Sequence, residues 1–81
     1  MNATTAIRNA DLADVLAAGM PFPTRDALGR MNHAAAVALF QARREFWLAA
    51  AREYAAQVAA GCADAAHDVA DALAQAERYA A

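Results

Sequence analysis

Residues 31–60 run MNHAAAVALFQARREFWLAAAREYAAQVAA, thirty positions without a proline or a glycine, and Gly61 follows directly. Alanine is the strongest helix former, with Leu, Gln, Arg and Glu close behind, so this stretch predicts one long helix. Reading backwards, Gly29 is taken as a glycine tolerated inside the helix, the alternative being a break there that moves the start to Met31. Thr24 caps its start, with Asp26 in the first turn and Arg30 four residues later. The central helix is therefore expected over residues 25–60, a length of roughly 50 Å. Gly61 suits a left-handed C-cap, the alternative being one unbroken helix through it. Asp64 can cap a third helix over residues 64–79 that closes with Arg78 in its last turn. Upstream, Asn9 and Asp11 favour a short helix over residues 10–18 that stops at Gly19. Pro21 and Pro23 exclude helix from a connector over residues 19–24.

Two apolar stripes run along the long helix. One is Val37, Phe40, Trp47, Tyr54 and Val58; the other is Leu28, Met31, Ala35, Leu39, Ala42, Phe46 and Ala49, with Gln41, Glu45 and Arg52 between them. The third helix, roughly 23 Å long, covers only half of the second. Its expected seam is Cys62, Ala66, Val69, Leu73, Ala76 and Ala80. The first helix, on its short tether, is expected in line with the third along one side. The fold class is thus all-α: a long central helix with a short N-terminal helix and a C-terminal helix packed antiparallel as a hairpin, completed into a bundle by oligomerisation or a partner.

Composition sharpens that expectation. Of 81 residues, 28 are alanine, leaving 21 larger apolar side chains to build a core. A chain this small buries only about 60% of its unfolded surface, so a second copy or a partner is expected to supply the missing cover. Seven arginines against nine carboxylates give a net charge of −2, too little basic field for nucleic acid as the main ligand. The lone Cys62 excludes an internal disulfide and suits a reducing compartment, and no stretch approaches the roughly 20 apolar residues of a membrane span. A cytoplasmic protein is expected.

No constellation carries catalytic chemistry. Asp64 and His67 have the i, i+3 spacing of helical-bundle metal ligands, yet with Asp68 and Asp71 they lie opposite the Val69 and Leu73 seam. Solvation is therefore expected there rather than a metal site. Cys62 and His67 project about 140° apart on one helix and form no dyad. Arg43, Arg44 and Arg52 among Phe46, Trp47 and Tyr54 have the make-up of an RNA-stacking surface, but Glu45 and Glu53 dilute their charge. Pro21-Phe22-Pro23 is read as packing rather than as a docking peptide.

The chain is therefore expected to be a non-catalytic interaction module without a cofactor: a small accessory or regulatory subunit, or a homo-oligomer. Its expected partner surface comprises Leu39, Phe40, Arg43, Phe46, Trp47, Tyr54 and Val58, since aromatic residues and arginine dominate protein interfaces. Residues 38–66 also resemble phasins, the coat proteins of bacterial polyester granules, in their Ala, Gln, Arg and Glu content. That resemblance implies an amphipathic coat on a hydrophobic granule or lipid surface. A compact helical inhibitor, antitoxin-like, from a mobile element is a further alternative.

Overall fold

In the computed structural model the described residues are 12–80, and all their regular secondary structure is helical. Four helices follow one another: α1 (Leu12–Gly19), α2 (Arg25–Gly29), α3 (His33–Ala59) and α4 (Ala65–Arg78). Helices α3 and α4 form a hairpin and make the most extensive contact between elements, and α1 packs against α4. The third predicted helix is confirmed to within a residue at each end. The N-terminal one begins, as far as it is described, at Leu12 and includes Gly19, while residues 10 and 11 lie outside the described part. None of the described helices is long and apolar enough to cross a membrane.

The predicted helix over residues 25–60 is divided, contrary to expectation. Thr24, in extended geometry, accepts a hydrogen bond at Oγ1 from the Ala27 N–H (3.1 Å) and starts α2, which ends after five residues at Gly29. Two short-range bonds close it, Arg30 N–H to the Ala27 carbonyl and Met31 N–H to the Leu28 carbonyl. Asn32 then returns to extended backbone, and its Oδ1 accepts from the Ala35 N–H at 2.8 Å. An asparagine that satisfies an orphan amide in this way competes directly with helix continuation. The glycine supplies a weak point and Asn32 converts it into a boundary.

Gly61 does what its position suggests. Its φ is 103°, the only positive value among the described residues. The Cys62 N–H reaches the Gln57 carbonyl (2.9 Å) while the Gly61 N–H reaches that of Val58 (3.0 Å). This is the paired 6→1 and 5→2 arrangement of a Schellman cap, which satisfies carbonyls that the helix end would leave unpaired. The chain reverses here, and α4 starts four residues on.

At 27 residues α3 spans about 40 Å and α4, at 14, about 21 Å, so the first turns of α3 extend past the end of α4. The short helix does not lie in line with α4, as its tether suggested. Instead it runs beside α4, with Ala13 among the buried residues of the common core.

Only one of the two break-point glycines needs its special geometry. Gly61→Ala should lower stability to urea by about 1–2 kcal/mol, the penalty for an L-residue in left-handed backbone. Gly29→Ala, whose added methyl meets nothing within 4 Å, should leave stability unchanged or raise it by up to about 1 kcal/mol.

Candidate functional site

The core is a small set of large rings set among alanines. Trp47, Ala50, Ala51 and Tyr54 are buried from α3; Ala65, Ala72 and Ala76 from α4; Tyr79 from just beyond it; and Ala13 from α1. Trp47 is 0% exposed, and the steps of three and four along each helix place these residues on one face. At 150–250 Å² each, Trp47 and Tyr79 contribute an upper bound of about 4–6 kcal/mol apiece. Among the described residues the indole Nε1 of Trp47 has no hydrogen-bond partner, a penalty of about 1–3 kcal/mol that the burial of its ring offsets.

This placement corrects the predicted partner surface. Trp47 and Tyr54 lie inside the chain's own hairpin, where no partner reaches them without unfolding it. Phe40 and Val58 are half-buried against the same core. Leu39 is half-buried, and only Phe46, 42% exposed, stands substantially in solvent, its ring edge-on to Trp47 at 5.3 Å between centroids. The aromatic stripe faces inward because α4 covers the rings of α3 with small side chains.

Arg43 is also engaged internally. Its Nη1 donates to the carbonyls of Met20 (3.2 Å) and Pro21 (3.4 Å) and to the Tyr79 hydroxyl (3.4 Å), tying the connector to α3. Phe22 continues the tie, with its ring centroid 5.6 Å from Phe40 and 5.0 Å from Tyr79, and the Arg78 guanidinium 4.6 Å above it. The Pro-Phe-Pro segment is thus packing, as expected, and Arg43 is its clamp rather than a contact for a partner.

The predicted seam of α4 holds only in part: Ala76 is buried and Cys62 and Val69 pack half-buried against the core, while other positions differ. Leu73 is 47% exposed, Ala66 and Ala80 are exposed, and Asp68, expected in water, is only 4% exposed. Its Oδ1 accepts from the Ala13 N–H at 3.1 Å, across 55 residues of sequence. A carboxylate there meets the amide-rich start of α1, a favourable place for negative charge. It acts as a cap supplied from another helix. His67 Nε2 lies 3.4 Å from Asp71 Oδ2 on the outer surface, and Asp64 sits at the helix start without a side-chain cap bond. Among the described residues no three His, Cys, Asp or Glu side chains gather in a way that could hold a metal ion. Cys62 packs half-buried against the core.

Among the described residues, two adjoining grooves form a trough along the hairpin. A groove of about 660 Å³ lies over the α3 overhang, lined by Leu28, His33, Val37, Phe40, Gln41 and Arg44 among others. A second, of about 470 Å³, lies between α3 and α4, lined by Arg44, Leu48, Ala70, Leu73, Ala74 and Glu77 among others. They share Arg44 and Ala80, and no residue of α1 lines either. Val37, Gln41, Arg44 and Leu48 recur at steps of four, three and four, a stripe legible in the sequence but overshadowed by the two richer ones. Leu73, which its spacing places on the inward seam, stands in this trough instead.

Asp68→Ala should lower stability by about 1–2 kcal/mol and speed hydrogen exchange at the Ala13 amide, as loss of a helix cap does. His67→Ala should change stability by less than about 0.5 kcal/mol in the same urea titration. The chain matches no protein-family model, no curated protein and no solved structure.

Proposed function

We propose that this chain is a non-catalytic protein–protein interaction module, a small subunit that works by docking another helical surface into the trough between α3 and α4. The observation that carries this reading is the exposure of Leu73 (47%) and Val37 (40%), which line the trough while bulkier rings are sealed beneath. Leu73 shares its groove with half-buried Leu48, amid alanines that allow a second backbone close approach, and Val37 lies about 16 Å along α3 in the adjoining groove. An apolar groove between two helices is the usual receptor for an amphipathic helix.

The trough differs from the aromatic stripe that the sequence favoured. The same difference favours docking over an amphipathic coat, because a coat protein lays its apolar stripe on the hydrophobic surface, and here Trp47 and Tyr54 are occupied within the chain. The docked protein then determines whether the module acts as an accessory subunit, an inhibitor or an assembly unit.

A photo-crosslinking residue at position 73, in the full chain expressed in its native cells, should give a discrete protein adduct. The same residue at position 52, on the exposed polar strip, should not. No adduct at 73, or an identical smear from both positions, contradicts the proposal.

A further inference from the structure

Resting on that docking reading, we infer that the trough is the interface with a second copy of this chain, which lays its own hairpin face across it to make a four-helix bundle. The argument is one of self-complementarity. A two-fold axis along the hairpin, lying in the plane of contact, carries α3 of one copy over α4 of the other at the same height. Because α3 and α4 are antiparallel within a copy, every neighbouring pair in the result is antiparallel, the up-down-up-down order of a four-helix bundle.

The charges agree with this operation. Arg44 on α3 and Glu77 on α4 line the same groove and are both exposed. Among the described residues neither is matched to an opposite charge. The two-fold sets Arg44 of one copy over Glu77 of the other, and the same pair again by symmetry, as an isologous interface requires. It also brings Leu73 of one copy toward Leu48 of the other, twice. The flanking positions Ala70, Ala74 and Ala80 are small, so the helices can approach until the leucines interdigitate.

Sedimentation of the full chain from about 1 µM to 1 mM tests this. A dimer of twice the 8.5 kDa chain mass is expected to appear within that range. Leu73→Glu should weaken it about a hundredfold and Arg44→Glu about tenfold. Far-ultraviolet circular dichroism should stay helical, since both side chains are largely outside the core. The double variant Arg44→Glu with Glu77→Arg should recover most of the Arg44→Glu loss, which neither a folding defect nor a different contact would produce. A monomer throughout the range, a dimer indifferent to both single variants, or a double variant no better than Arg44→Glu overturns the inference. A monomer that still gives the position-73 adduct with another protein overturns the second copy but keeps the docking reading, whereas loss of both overturns both.

Discussion

The structure depends on Trp47 finding a wall of alanine. With 21 apolar side chains larger than alanine, the chain cannot fill a core by interleaving large residues from both helices. It sets the rings of α3, Trp47 and Tyr54, against Ala65, Ala72 and Ala76 of α4. Small residues opposite large ones give close helix contact without voids. Tyr79 closes the far end, where Phe22 packs tilted and Phe40 edge-on against it and Arg43 ties in the connector. Each device draws an outlying segment onto the same indole-centred core, including the Asp68 contact that holds α1.

This constraint also explains which parts of the fold were legible. The hairpin was, because Gly61 has the chemistry of a left-handed cap and the flanking segments are uniformly helix-forming. The stripe holding Trp47 and Tyr54 was recognised by its spacing, but its direction was not. A large apolar residue suits a partner surface and a core equally, and what decides between them is the opposing helix. In α4 the expected seam holds at Val69, which packs half-buried against the core, but fails at Leu73, which is exposed. Alanines stand on every side of that helix, and the rings of α3 require the smallest ones. Its true face, Ala65, Asp68, Ala72 and Ala76, carries a carboxylate whose reason lies 55 residues away at Ala13. No local pattern encodes that pairing. The break at Gly29 was misjudged for a simpler reason, since Asn32 competes for the Ala35 amide and local propensity alone favoured continuation.

The internal use of the aromatics reshapes the functional reading. Once Trp47, Tyr54 and Arg43 are committed to folding, the trough is left with the medium-sized apolar groups Val37, Leu48 and Leu73, set among alanines with Arg44, Glu45 and Glu77. Between α3 and α4 such a face carries no tryptophan or tyrosine, and Arg44 is its one residue of the kind that usually dominates binding. The face is well shaped for another helix of similar texture. On the proposed two-fold reading, an alanine-lined trough bounded by Arg44 and Glu77 suits a copy of itself.

Trp47 is the only tryptophan, so the central claim has its own reporter. Acrylamide quenching of its fluorescence, measured on native chain diluted until sedimentation shows a monomer, asks whether α4 of the same copy seals the indole. A blue-shifted emission that resists quencher and does not change on dilution is the predicted result. A red-shifted, freely quenched indole in the folded monomer would contradict the account and return Trp47 to the surface.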